Sequence, residues 1–356
     1  MEGTATRLPV TEVRRYVRDA GTRGGVPDAQ LDLFVSSFVD ADLRGVETHG
    51  IARIPAYVRA FLRGIVNPAP SISVLHDNGA SLHLDGDNGL GMVVGQLGMD
   101  HAVERAAKFG VGVVSVRNSN HSGMLAIHVL RATSRGMIGF FTSGGVAIMP
   151  PWGGADPILG NGPFAWGVPR MSGFPIVVDM ASSIAARGKI RSLAMEGQQI
   201  PDGWALDADG RPTRDASEAM KGVVLPMAGH KGSGLAIALE IVSSVLSGAH
   251  LAADAPRDFL REGARTLDSW RIGHFAMALN PDGFAGSATF SEILGHLELS
   301  ITDSRRASGV SRILLPGQIE AENQAERLQS GVPVSLRVLE SLNLFADEIG
   351  IRPLAP

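Results

Sequence analysis

The run Asp42-Leu43-Arg44-Gly45-Val46-Glu47-Thr48-His49-Gly50-Ile51-Ala52-Arg53 sets an imidazole and a guanidinium four residues apart, with a hydroxyl beside the imidazole. On a helix that separation is one turn, which puts the two side chains on a shared face with Cβ atoms about 5–6 Å apart. A small 2-hydroxy or 2-oxo acid asks for such a pair. Its carboxylate suits the planar, bidentate fork of Arg53 better than an ammonium. Its neighbouring hydroxyl or carbonyl needs a group that trades a proton near neutral pH, which is the chemistry of His49. The same spacing also fits a solvated helix face, with its charges paired to Asp42 and Glu47.

Three further stretches carry comparable chemistry. Arg117-Asn118-Ser119-Asn120-His121-Ser122-Gly123 follows the apolar run Val111–Val116 and precedes a helical pattern. Ligands gather where strands end and helices begin, so His121 is placed for substrate binding or proton transfer. The plainer reading has Asn118 and Ser119 capping that helix. Gly229-His230-Lys231-Gly232-Ser233-Gly234 puts a cation between glycines at the start of an apolar helix, a good anion site or else a tight packing loop. Val177-Val178-Asp179-Met180-Ala181 ends an apolar strand on a carboxylate that could accept from a ribose, orient a histidine or cap the next helix.

The elements that must position these groups are legible from periodicity. Val13, Val17, Leu31, Phe34, Val35, Phe38 and Val39 recur at helical spacing, interrupted at Gly24-Gly25-Val26-Pro27. Pro27 and Pro55 each suit a helix start, which leaves the His49–Arg53 run at a helix end or bend. Beyond Asn67-Pro68-Ala69-Pro70 the pattern turns to short strands near 72–75, 81–84, 111–116, 138–142 and 176–178. Gly86-Asp87-Asn88-Gly89-Leu90-Gly91 and a helix ending at Phe109-Gly110 separate two of them, the order of an α/β unit. Residues 197–215 read as an exposed, turn-rich excursion, and Leu235–Ala249 as a buried helix too short and too interrupted to span a membrane. The tail from Asn323 to Ile349 is helical again, with a break at Gly331-Val332-Pro333.

Bulk properties remove several classes. A chain of 356 residues, 44% hydrophobic and carrying a net charge of −4, can bury a large core and has no basic footprint for nucleic acid. Without cysteine there is no thiolate nucleophile, no disulfide and no Cys-ligated metal. The ten histidines lack ligand spacing and H-E-x-x-H is missing, so no metal is expected. G-x-S-x-G, G-x-G-x-x-G opening a helix, and the Walker pattern are missing too, so a dinucleotide would bind outside a Rossmann fingerprint. The N-terminus has no apolar signal core, and a cytoplasmic protein that contacts neither membrane nor nucleic acid is the expectation.

Taken in order, the motifs resemble those of the malate/L-lactate dehydrogenase family of the second type, the L-sulfolactate-dehydrogenase-like family, along nearly the whole chain. The matching stretches are Asp42 to Arg53, Asn118 to Gly123, Pro151-Trp152-Gly153-Gly154, Gly160-Asn161-Gly162-Pro163, Asp179 to Ser183, Lys231 to Leu235, and Pro316-Gly317. The resemblance implies that Arg53 holds the substrate carboxylate. It makes His49 and His121 alternative proton-transfer groups that also contact substrate, with Thr48 or Asp179 orienting them. It further implies that Ser143, Gly145, Val178, Asp179, Met180 and Ala181, with His230, Lys231, Gly317 and Gln318, contact NAD or NADP. Thr48 stands where the family has serine, and Ser143-Gly144-Gly145 where many members have Thr-Asn-Ser.

The expected fold class is α/β (α+β): a mixed-sheet, non-Rossmann NAD(P)-binding domain over 72–304, and a discontinuous helical domain from 1–71 with 305–356. The expected function is hydride transfer between nicotinamide and C2 of a small carboxylate of the malate, lactate, ureidoglycolate or sulfolactate type, in a homodimer. Reduction of a cyclic imine such as piperideine- or pyrroline-2-carboxylate is the alternative within the family. A ligand-binding protein that has kept the fold and lost turnover is the alternative outside it.

Overall fold

The computed structural model describes residues 5–256 and 269–355. A short strand, β1 (Ala5–Leu8), leads into α1 (Val10–Arg23) and α2 (Asp28–Leu43). Pro27 sits at the N-cap of α2 as its fixed φ favours, and Leu31, Phe34, Val35, Phe38 and Val39 face the core at the spacing that predicted the helix. Two consecutive 3₁₀ turns, Glu47–His49 and Ile51–Arg53, then hand over to α3 (Ile54–Leu62), with Pro55 in its first turn. The His49–Arg53 run is therefore a kinked connection and not a turn of α-helix.

The sheet begins with β2 (Ser73–Asp77) and β3 (Ser81–Gly89), followed by α4 (Gly91–Phe109) and β4 (Val111–Ser119). β3 and β4 are parallel, so β3–α4–β4 is the expected crossover unit. Next come α5 (Ala126–Thr133), β5 (Ile138–Ser143), β6 (Phe164–Val168) and β7 (Ile176–Met180). The excursion is a folded module rather than loose turns: α6 (Arg187–Met195), β8 (Ala205–Leu206), β9 (Pro212–Thr213), α7 (Ala216–Lys221) and β10 (Val223–Val224). Ile190, Ile200, Ala205, Ala216, Ala219 and Val224 give it a small core of its own.

α8 (His230–Glu240) runs on as a π-helical segment through Val245, and β11 (Ile272–Leu279) returns to the sheet. α9 (Ser287–Thr302), α10 (Gln318–Ser330), β12 (Val332–Ser335) and α11 (Leu336–Ile349) complete the chain. The break expected at Gly331-Val332-Pro333 is thus a strand, and it pairs antiparallel with β1 to join the two ends of the protein. The main sheet has the order β2-β3-β4-β11-β5-β6-β7, and only β3–β4 is parallel, which makes it mixed and non-Rossmann.

β11 is the pivot of this arrangement. Alternate residues of a strand face opposite sides, so Ala276 and Ala278 share one face with His274 while Gly273 faces the other. Gly273 must be glycine, because a Cβ there would lie 2.0 Å from the Ser243 carbonyl of the π-helical segment. One continuous core joins the helices of both termini to the sheet, from Tyr16, Phe34 and Phe345 to Val114, Phe141 and Ala276. Among the described residues no helix is long and apolar enough to cross a membrane, and no group of His, Asp and Glu is placed to hold a metal.

Candidate active site

A cleft of about 1100 Å³ opens where the helical segment meets the ends of β4, β5 and β7. It brings together Thr48, His49, Arg53, His121, Ser143, Gly145, Val178, Asp179, Met180, Ala181 and Gly317. His230, Lys231 and Gln318 do not line it. His230 lies edge-on to Trp152 with ring centroids 6.1 Å apart, and the Gln318 amide is turned back onto Leu315 N and Glu322. The anion site expected at Gly229–Gly234 therefore stands outside the cleft wall.

The kink that presents His49 has a specific cause. Asp42, 4% exposed at the end of α2, accepts the Ile51 amide at 2.8 Å and fills the space beside Gly50. A Cβ on Gly50 would lie 1.8 Å from Asp42 Oδ1, so only glycine passes the buried carboxyl. Burial pushes Asp42 up to about 7 even though the Ile51 N–H opposes it. Arg327 of α10 holds the outer side of the same turn, donating to the Asp42 carbonyl and pairing with Glu47 at 2.9 Å. In this geometry Thr48 Oγ1 meets His49 Nδ1 at 2.9 Å.

His121 is held from the sheet side. Neither Asn118 nor Ser119 caps a helix, because β4 runs through Ser119 and α5 starts only at Ala126. Asn118 bonds Asp85, and buried Asn120 donates to Asn88 and Gly89 while accepting the Trp270 amide. With its neighbour anchored in this way, His121 lies parallel to His49, ring centroids 5.5 Å apart and planes 9° from coplanar. Tyr57 Oη of α3 is 2.7 Å from His121 Nδ1, and the Gly123 amide donates to the same nitrogen at 3.2 Å. A nitrogen that accepts an N–H carries no proton, so the neutral ring bears its proton on Nε2. Tyr57, Asn120 and Trp270 were not evident from sequence. The hint for Tyr57 was its place four residues after Arg53, one turn along.

The electrostatics match the packing. Burial, then the Arg53 guanidinium, lowers His49 to about 4. Burial first, and then the Arg53 guanidinium and any protonation of His49 or His274, keeps His121 well below its ordinary value. Both rings are therefore neutral near pH 7, and an anion bound at Arg53 would offset one of the charges that keep them so. Among the described residues no side chain or carbonyl pairs with that guanidinium. Asp179 caps α5, accepting the Ala126 amide at 2.8 Å, and does not cap the helix that follows it. Burial raises it to about 6 although the Ala126 and Leu125 amides oppose the shift. It thus braces the segment beyond His121 and contacts neither imidazole.

The cleft also fits a dinucleotide. At about 1100 Å³ its volume lies just above the roughly 300–1,000 Å³ usual for small-molecule sites, room for a cofactor beside a small acid. Gly144, Gly145, Pro163 and Ala181 leave the backbone of one wall bare, and Arg187 and Arg191 add positive charge to the lining.

The family model for malate/L-lactate dehydrogenase matches residues 8–343. The chain belongs to that family. It is 33% identical to a malate dehydrogenase of Pyrococcus abyssi, over 98% of this chain and 96% of that one. The solved structure of the sulfolactate dehydrogenase from Methanocaldococcus jannaschii superposes with a TM-score of 0.89 at 34% identity, covering 98% of both chains. A Δ1-piperideine-2-carboxylate reductase from Pseudomonas syringae gives 0.83 at 25% identity, over 96% of this chain and 100% of that one. The protein is accordingly an oxidoreductase dependent on NAD or NADP, with a mixed-sheet fold of the family's own kind.

Proposed function

We propose that this dehydrogenase interconverts a small 2-hydroxy acid and its 2-oxo acid, with Arg53 as the carboxylate anchor and His121 as the proton-transfer group. The observation that carries the reading is the parallel pair of neutral imidazoles in one cleft with a guanidinium that no other described group pairs with. The nicotinamide cofactor, when bound, supplies or accepts the hydride at C2. Arg53 fixes C1 through two parallel N–H···O bonds, which leaves the oxygen on C2 to the imidazoles. In the reduction direction the bound carboxylate offsets the Arg53 charge and His121 takes up a proton from solvent. The imidazolium gives its Nε2 proton to the developing oxyanion and returns to the neutral ring, while Tyr57 at Nδ1 holds the ring in place. His49, steadied by Thr48, flanks His121 and excludes water from that side.

The cyclic-imine alternative draws on the likeness to the piperideine-carboxylate reductase, since an imine carbon beside a carboxylate would meet the same anchor and donor. A substrate panel separates the readings. With NADH and with NADPH, pyruvate, oxaloacetate and the 2-oxo acid of ureidoglycolate are expected to be reduced faster than pyrroline-2-carboxylate. Faster reduction of the imine selects the alternative, and turnover of neither class, with no cofactor binding by fluorescence titration, selects the inactive binding protein.

We further infer a homodimer. The apolar segment Leu235–Ala249 is not the buried helix its composition predicted: Ile237, Ile241, Val245 and Leu246 are exposed. α9 has no buried residue at all, and Ile293, Leu297 and Leu299 face outward. An apolar helix of this length gains its stability from packing, and a second copy of this chain would supply it. Light scattering is expected to give twice 37.4 kDa, and the mass of one chain would refute the dimer.

A further inference from the structure

The end of β11 carries a buried imidazole that the proposed chemistry does not use. His274 has no exposed surface, and its two nitrogens reach the two neighbouring strands: Nε2 lies 2.8 Å from Ser119 Oγ on β4, and Nδ1 lies 3.0 Å from Ser143 Oγ on β5. Ser143 Oγ donates its own proton to the Gly144 carbonyl at 2.9 Å, so it accepts from Nδ1–H, and Nε2 accepts from the Ser119 hydroxyl. The result is one directional chain, Ser119 to His274 to Ser143 to Gly144, in which each hydrogen bond polarises the next. Burial lowers His274 to about 3, so the ring stays neutral and both roles persist at any working pH.

The position of this chain gives it a purpose. Two residues after Ser119 comes His121, and directly after Ser143 comes the bare Gly144-Gly145 wall of the cleft. Backbone pairing is irregular on the β4 side of this level, where the β11–β4 register shifts between Ile272 and His274. On the β5 side a single bond beyond the strand, from the Gly144 amide to the Gly273 carbonyl at 2.9 Å, continues the ladder. The His274 side chain reaches both neighbouring strands here. An apolar side chain would fill the same volume at less desolvation cost.

We propose that His274 is a positioning residue, tying the strand end that bears His121 to the strand end that forms the Gly144-Gly145 wall, and so fixing the proton donor against the hydride path. The idea rests on the proposed role of His121. A misplacement of about 1 Å can cost on the order of 10²-fold in rate, so a side-chain tie across the cleft is enough to matter.

His274→Phe and Ser119→Ala, singly and together, test it. Each is expected to lower kcat about 10- to 100-fold, with the primary isotope effect from deuterated cofactor increased and KM for the 2-oxo acid within about threefold. Because both substitutions cut the same tie, the double variant should lose no more than His274→Phe alone. Losses that multiply, or a lowered melting temperature with kcat and isotope effect unchanged, overturn the proposal. Should His274→Phe fail to fold, Ser119→Ala removes one hydroxyl and carries the test by itself. Amide hydrogen exchange supplies a readout independent of turnover: faster exchange is expected both at 120–125 and at 144–147, and a change confined to β11 refutes the tie. Absence of wild-type turnover on any 2-oxo acid or cyclic imine would instead contradict the proposed function, and the exchange result would still decide on His274.

Discussion

Replacing Arg53 with methionine is expected to raise KM for the 2-oxo acid by about 10²- to 10³-fold while kcat falls far less. Hydrogen bonds to charged groups contribute roughly 1.5–3 kcal/mol each, and the anchor makes two of them to one carboxylate. Methionine keeps the unbranched apolar stem of the side chain and removes the charged fork beyond it. The turn itself should survive, because Asp42 and Arg327 hold it and the Arg53 guanidinium pairs with no other described group. A second signature follows from the same charge. Arg53 is one of the groups that lower His49 and His121, so both imidazoles should titrate at higher pH in the variant, observable by NMR. A KM within about threefold of wild type would remove Arg53 from the site.

Replacing His121 with glutamine is the change with the largest expected effect on kcat. A positioned general acid or base contributes about 10²–10⁴-fold, and glutamine can donate a hydrogen bond but cannot pass a proton on. The loss should fall on kcat with KM little altered, because carboxylate binding rests with Arg53. His49→Gln is expected to cost less, and the comparison decides between two residues that sequence alone left equivalent. The structural distinction is at the ring nitrogens: His121 Nδ1 is occupied by the Gly123 amide and the Tyr57 hydroxyl, which leaves Nε2 as the nitrogen free to exchange a proton with substrate. A larger kcat loss in His49→Gln would reverse the assignment.

How far these groups were legible in the sequence depended on the range of the interaction that places them. α1, α2 and α4 were readable because their core contacts recur at i, i+3 and i+4 within one segment, and the β3–α4–β4 crossover because strand, glycine turn and helix are adjacent in the chain. β11 was missed. Its sequence, Ile-Gly-His-Phe-Ala-Met-Ala-Leu, is rich in residues that locally favour helix, and only its position between β4 and β5 makes it a strand. The β1–β12 pair was likewise invisible, since it joins residues at opposite ends of the chain. At the site, His49 and Arg53 were found by spacing, yet the single helical turn invoked for them gives way to two 3₁₀ turns because the buried Asp42 carboxyl occupies the inside of the bend. His230 and Lys231 were read as an anion site from glycine context, which does not reveal which way the start of α8 faces. Tyr57 and His274 act through hydrogen bonds to residues 64 and 131–155 positions away, beyond any local pattern.

The central claim is that a carboxylate held by Arg53 presents C2 to hydride and to His121. The most direct measurement is kcat/KM for a 2-oxo acid and for its methyl ester, in wild type and in Arg53→Met, with whichever reduced cofactor binds. Wild type should prefer the acid by about 10²-fold or more, and the preference should collapse in the variant because the ester never used the guanidinium. Equal rates on acid and ester in wild type, or an undiminished preference for the acid in Arg53→Met, would contradict the account.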